Sequence, residues 1–598
     1  MPQPTRWFRA IIAASSLLAL GVTAQPTPAQ DTATTTTTTT APAAPVDPRE
    51  LAQRAQRQFE IFRRNHLPLF KGKRPAPGKC PEPIGMSWCY WYDETPEDLK
   101  PTPEVDSARK TLMALLDSLG RLQPGDPWIS GQRVRYLIET ERFADALEVA
   151  KDCETVGWWC DALRGLTLHE LGRYAESEAA FELVLADLSP RDRCEWRDLT
   201  PFLDDDTRRQ YIRSTCGTPE RATYEQRVWW FARTRYGMPG NDSRTEHFSR
   251  LTYIEILQVS ATTHHQEFDE AARETLIRFG WERGWARDSR PSFDVMRTSA
   301  PVVDVIGFEA VPAHRLIPPS HVLTSPASSD STDWAVQLPP VVARYHPKYA
   351  SRLLMLEHQQ ALFRRGDTAL MVLAYDVSKV KGLEGAKLDA ALVITPGTTP
   401  RGTTTHLKNA PAKGTMSVRA PWGPLLMSAE IAADSASTLV RARYGIRPPF
   451  ALGARVSLSD LLFYTPYGTF PSTVEEALPH ALATQKVRSG QKLGVYWEAY
   501  NTNPLGEKMT ISLVVAPEGE DESGRGSRVG RALRLSRANQ PVTLTVEDMS
   551  ARGARTSARA LEVDITTLKP GAYLVQLEID VAGQYTIRAD RRLVVVGP

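Results

Sequence analysis

WWFARTRYGMPGNDSRTEHFSR, residues 229–250, and RFGWERGWARD, residues 278–288, form the densest run of Trp, Gly and Arg in the chain. They stand between a helical N-terminal half and a β-rich C-terminal half. In the spacer joining them, Phe268, Ala272, Leu276 and Phe279 recur at helical spacing, with Gly280 as the stop. The steps Gly280-Trp281 and Gly284-Trp285 then predict tight turns, because glycine admits the left-handed backbone. Each indole can bury a large surface while its N–H finds an acceptor. Two outcomes follow. The rings are structural, pinning the loop to its own domain and serving as mortar between the two halves, or Trp229, Trp230, Trp281 and Trp285 form an aromatic platform for a sugar or a peptide.

Working upstream, Asp47-Pro48 and Thr102-Pro103 each pair a capping residue with proline at the first helical position. Leu51, Ala55, Phe59 and Phe62 mark the buried face of the first helix, and Val105, Ala108, Leu112, Leu115 and Leu119 that of the second. Phe143-Ala144-Asp145-Ala146-Leu147 is echoed 31 residues later by Tyr174-Ala175-Glu176-Ser177-Glu178. The later copy sets Gly165, Gly172, Tyr174, Phe181 and Pro190 near the places a tetratricopeptide repeat puts them. Small residues there let two antiparallel helices approach while an aromatic ring fills the gap. All six cysteines fall between Cys80 and Cys216. An even number in an exported chain predicts disulfides, and local pairing gives Cys80–Cys89, Cys153–Cys160 and Cys194–Cys216. The absence of any CxxC pair argues against zinc.

Downstream, the prolines from 312 to 347 predict an extended connector across the surface. From about residue 352, alternation takes over. Leu370, Val372 and Ala374 point one way and Met371, Leu373 and Tyr375 the other, which predicts a central strand. Further strands are predicted at 390–395, 425–433, 438–444, 493–500, 510–515, 542–546, 561–565, 573–581 and 585–589. Without intervening helices they imply antiparallel β-sandwich modules. The acidic, Gly-rich stretch 517–530 reads as a hairpin tip.

At the amino terminus, Arg6 and Arg9 precede an apolar stretch from Ala10 to Val22, and Val22-Thr23-Ala24 offers a cleavage site. This predicts a signal peptide over 1–24, hence export to the periplasm or cell surface with no transmembrane span in the mature chain. The Thr-rich segment 25–46 cannot bury enough apolar area to fold and reads as a disordered linker. The remaining 552 residues divide into a helical region with the Cys80/Cys89 loop (47–127), the repeats (128–190), a helical region carrying the Trp-Gly stretch (191–300), the Pro-rich connector (301–350) and two β modules (351–450 and 451–598). A formal charge of +2 and no basic patch with interleaved aromatics exclude a general nucleic-acid binder.

Gly284-Trp285-Ala286-Arg287-Asp288 resembles the signature of the GWxTD-domain proteins, with Arg287 where that family has threonine. Tyr236-Gly237-Met238-Pro239-Gly240-Asn241-Asp242, with Arg244, Glu246 and His247, is similar to members carrying tetratricopeptide repeats. The resemblance implies an exported bacterial protein and a motif set of Gly280, Trp281, Gly284, Trp285 and Asp288. It implies no chemistry, since that family has no established function.

Constellations for catalysis are few. GxSxG, HExxH and phosphate-binding loops are absent. His264, His265, Glu267, Asp269 and Glu270 could offer metal ligands, but adjacent histidines on a helix diverge by about 100°. No metal and no cofactor is therefore expected. Glu246 and His247, with Arg244 as an anion clamp, could form an acid–base pair. The expected function is a non-catalytic scaffold that binds other envelope proteins. The alternatives are a glycan-binding protein using the four tryptophans and a hydrolase of unrecognised class around Arg244, Glu246 and His247.

Overall fold

The computed structural model describes residues 47–72, 80–84, 88–90, 100–265, 267–288, 305–310, 313–334, 343–396, 402–450, 456–518, 542–581 and 586–597. Residues 1–46, where a signal peptide and a linker are expected, and the acidic stretch beyond Glu518, expected as a hairpin tip, lie outside these residues. Eleven helices open the described chain up to Gly280. They are α1 (Pro48–Asn65), α2 (Pro103–Leu122), α3 (Pro127–Glu139), α4 (Phe143–Lys151), α5 (Trp159–Glu170), α6 (Tyr174–Asp187), α7 (Pro190–Trp196), α8 (Asp205–Arg213), α9 (Pro219–Ala232), α10 (Asp242–Leu257) and α11 (Glu270–Phe279). The capping signals work as sequence chemistry dictates. Asp47 accepts from the Arg49 amide, Thr102 from Val105 and Asp269 from Ala272, each satisfying a backbone donor of the first turn. Among the described residues no helix is long and apolar enough to cross a membrane.

Helices α3 to α6 make two consecutive antiparallel hairpins with matching turns. Glu141 (φ 57°) and Gly172 (φ 73°), 31 positions apart, both take the left-handed conformation just before α4 and α6. At Gly165 a Cβ would fall 2.7 Å from the Phe181 ring, so glycine there lets α5 and α6 close on each other. The disulfides Cys153–Cys160 and Cys194–Cys216 are formed. Cys80 is also disulfide-bonded, while the side chain of Cys89 lies outside the described residues.

Short strands follow or interrupt the helices: β1 (Glu82–Ile84) with β2 (Trp88–Tyr90), β3 (Gly284–Arg287) with β4 (Val305–Phe308), and β5 (His314–Arg315) with β6 (Arg344–Tyr345). The Trp-Gly segment thus departs from two turns. Gly280 has φ 93° and ends α11, but Gly284 lies in extended strand β3. The proline-rich connector departs further. Leu316, Val322, Leu323, Trp334 and Tyr345 are buried with Trp229 and Tyr236. Its prolines exclude long regular elements, but its apolar residues make it a wedge inside the molecule rather than a strap over it.

The β half begins with β7 (Arg352–Met355), β8 (His358–Arg365), β9 (Thr368–Asp376), β10 (Leu388–Pro396), β11 (Thr403–Ala410), β12 (Lys413–Pro421), β13 (Leu425–Ala433) and β14 (Thr438–Ile446). One sheet runs β11-β10-β13-β14-β7 and the other β12-β9-β8; only β7 on β14 is parallel within this module. The second module contains β15 (Ser457–Leu458), β16 (Leu462–Tyr464), β17 (Lys486–Arg488), β18 (Lys492–Tyr500), β19 (Lys508–Pro517), β20 (Val542–Met549), β21 (Thr556–Asp564), β22 (Gly571–Val581) and β23 (Ile587–Val596). Its five-stranded sheet, β17-β23-β22-β19-β20, packs on the β18-centred sheet. The architecture is helical first and β-sandwich second, as the sequence predicts.

Strand β9 explains how the modules join. Met371, Leu373 and Tyr375 enter the core of the first module, whereas Leu370, Val372 and Ala374 pack on Leu462, Tyr464 and Tyr496 of the second. Strand β10 does the same toward the helices, sending Ala390 and Leu392 inward and Ala391 and Val393 against Trp229 and Leu316. A strand apolar on both faces needs two covered faces, and each has them.

Candidate binding site

The segment from Arg233 to Gly237 fastens the helical half to the β half. The amides of Tyr236 and Gly237 donate to the two Glu430 carboxylate oxygens at 2.8 and 2.9 Å. Arg443, fully buried beside Glu430, donates to that carboxylate at 2.9 Å and to the carbonyls of Arg233 and Thr234. Burial would raise the Glu430 carboxyl, but the Arg443 charge and the backbone donors outweigh it and keep it below the ordinary range. At Gly237 a Cβ would fall 2.5 Å from Ala391 Cβ, so this glycine is set by close approach to the sheet. Gly240 (φ 79°) meets the Tyr174–Ala175 backbone and needs glycine for its conformation as well.

Helix α10 follows, and its faces look into two different hollows. Asn241, Arg244 and Phe248 line an open cleft of about 1070 Å³ between α6, α7 and α9. Arg244 pairs there with Glu178 at 3.1 Å and Glu182 at 2.6 Å. Trp229, Trp230, Arg193 and Arg233 line the same cleft. Among the described residues, the buried indole N–H of Trp230 and Nε–H groups of Arg193 and Arg233 have no hydrogen-bond partner.

Residues one or two positions apart on a helix face different ways. Glu246 accordingly turns to the opposite side, accepting from Arg250 Nε at 2.7 Å and lying 2.8 Å from His169 Nε2. Burial opposes its ionisation, but Arg250 and His169 outweigh that and lower it to about 2. His247 points elsewhere again, donating from Nε2 to the Trp196 carbonyl at 3.1 Å and stacking on Trp229. Burial lowers its imidazole to about 3, so it is neutral. Arg244, Glu246 and His247 therefore do not converge on one point.

The four tryptophans also separate into two places. Trp229 (4 % exposed) is covered by His247 and Phe202, and Trp230 by Tyr236 and the Arg233 guanidinium. Trp281 (5 % exposed) stacks on Tyr253, with the Arg283 guanidinium 5.0 Å from its ring centre. Trp285 lies under Arg63, at 4.4 Å, and donates its N–H to Glu282 at 2.6 Å. Asp288 is buried. The rings after Gly280 and Gly284 bind the helical half to itself; the junction with the β half is made around residues 229–237.

His264 faces Glu282 at 2.8 Å, which raises the imidazole despite its burial and lowers the carboxyl. His265 occupies a left-handed turn (φ 56°). Sequence patterns single out neither His169 nor Glu309 nor Arg193, because each becomes part of a hollow only through distant packing.

No protein-family model matches the chain, and no curated protein matches it. Solved structures with which it shares a partial likeness include red sea bream transglutaminase, at 13% identity and TM-score 0.14 over 41% of this chain and 32% of that one. A family 123 glycoside hydrolase from Clostridium perfringens gives 14% identity and TM-score 0.14 over 24% and 28%. E. coli alpha-2-macroglobulin gives 12% and 0.15 over 41% and 16%. The chain thus spans about a third or less of each of these proteins. At such scores neither a fold nor an activity transfers to it.

Proposed function

We propose that the protein is an exported, non-catalytic interaction protein of the bacterial envelope, acting in the periplasm or at the cell surface. On this reading it takes an extended segment of another envelope protein into the cleft between α6, α7 and α9. The observation that carries it is the coincidence, in one open cleft, of aromatic walls with three N–H donors that the described residues leave unpaired. Buried donors without acceptors are costly, and peptide carbonyls supply acceptors along an extended chain. The resemblance to GWxTD-domain proteins with tetratricopeptide repeats agrees with export and with a helical binding surface. The diverging Arg244, Glu246 and His247 give a hydrolase no assembled centre, and the four indoles, split between two places, give a sugar no shared platform.

A photo-crosslinking amino acid at Gln226, which is exposed on the cleft wall, tests this in intact cells. The expected result is one discrete adduct with an envelope protein. It is absent when the probe sits at Lys508 on the β half, and W230A combined with R193A abolishes it. Equal adducts from both positions would refute the reading.

A further inference from the structure

On the far side of α10 lies a second cavity of about 400 Å³, within the range of small-molecule sites. Two fixed ion-pair chains form its walls. Glu246 holds His169 and Arg250, as described. Glu170 accepts from Arg283 at 2.9 Å and from Lys348 at 2.7 Å. These groups satisfy one another, and with Glu141 beside Lys348 the cavity wall sets three carboxylates against the three cations Arg250, Arg283 and Lys348. Against it stand two polar groups that are not so engaged. The indole N–H of Trp281, in a side chain 5 % exposed, has no acceptor among the described residues. Among the described residues Glu309 takes a long contact, 3.4 Å, from the Tyr90 hydroxyl and its own backbone amide, and no ion pair. Both residues line this cavity and also the narrower space running toward His264.

The charge around Glu309 decides what can bind there. Glu282 faces it with a negative carboxylate, Arg250 counters only in part, and Tyr90 adds no charge; His169, Glu170, Arg283, His346 and Lys348 complete the surroundings. Burial, reinforced by Glu282, raises the Glu309 carboxyl to about 8, so at neutral pH it is a carboxylic acid and a donor. The same field that disfavours a charged Glu309 disfavours an anionic ligand beside it. An uncharged acceptor meets no such penalty and gains two donors.

We propose that this cavity binds a small uncharged ligand through a carbonyl oxygen of amide type, held between the Trp281 indole N–H and the Glu309 carboxyl. N-acetylated sugars and N-acyl amino acids or short capped peptides both carry that group. This binding site is independent of the α6–α7–α9 cleft.

Isothermal titration of the full mature chain uses N,N′-diacetylchitobiose, N-acetyl-alanine methylamide and acetate as probes. At pH 6.5 at least one of the two amide probes binds, and whichever does so identifies the source; acetate does not bind. Raising the pH to 9.5 ionises Glu309 and weakens wild-type binding about tenfold. Lys348, whose ammonium is lowered by burial, also titrates on the alkaline side, so K348R must keep that step. E309Q, whose uncharged amide still donates, keeps binding at pH 6.5 and loses the step, and W281F, checked for folding by circular dichroism, binds about tenfold more weakly. Acetate binding as well as the amides, no binding by either amide at millimolar concentration, or a step retained in E309Q would each overturn the proposal. Crosslinking at Gln226 reports the cleft separately.

Discussion

Glu430 shows how much a single side chain carries here. It lies at the centre of a fully buried ion pair and receives two backbone amides from the other half of the molecule. Removing one partner of such a pair leaves the other charge buried without compensation, at about 3–5 kcal/mol. E430A is therefore expected to lower the unfolding free energy by that amount, whereas E430Q, which retains one acceptor for the amides, should cost less. Urea denaturation of the mature chain measures both. Residue identities of this kind were only half legible in advance. The run Arg233–Gly237 stood out by composition, but nothing near it announces Glu430 or Arg443. In the same way Glu246 was visible beside His247, while its true neighbour, His169, comes from α5. Pairing across long sequence separations is fixed by packing, which a local pattern does not contain.

Elements were read more faithfully where one physical signal dominates. The double apolar alternation of β9 predicted a strand covered on both faces, and both faces are covered. Strands β11 and β12 escaped notice because TTTHLKNA and KGTMSVRAP are mostly polar and half exposed, so no apolar period marks them. The connector misled for the opposite reason: proline spacing drew attention from Leu316, Val322 and Trp334, which decide its burial. The two described disulfides were legible because local pairing needs only short loops. Cys194–Cys216 ties α7 to the turn after α8 across a separation of 22 residues. Its removal is expected to cost about 2–4 kcal/mol, the loop-closure range for such a span. A C194S/C216S double variant compared by thermal melting measures this, with a C153S/C160S variant losing less because its loop spans 7 residues.

At the scale of the whole molecule, Asp47–Pro598 forms one compact unit, and the fold class was legible while its seam was not. The indoles at 281 and 285 were expected to join the halves. Trp229, Tyr236, Leu316 and Trp334 do so instead, against Ala391, Val393 and Leu426. Severing the chain near residue 350 would uncover that shared apolar face. Expressed alone, residues 47–350 and 351–598 are each expected to aggregate, and co-expression should recover a soluble complex that co-elutes on size exclusion. Independent solubility of both pieces would contradict this seam. Strand β9 extends the point to the two sandwiches. It serves as a party wall, so neither dwelling can be rebuilt without disturbing the tenant next door. A lysine at Val372 would damage the module it does not belong to, and duplication or exchange of either sandwich by recombination would leave a raw oily flank behind. Such a chain is inherited whole or not at all.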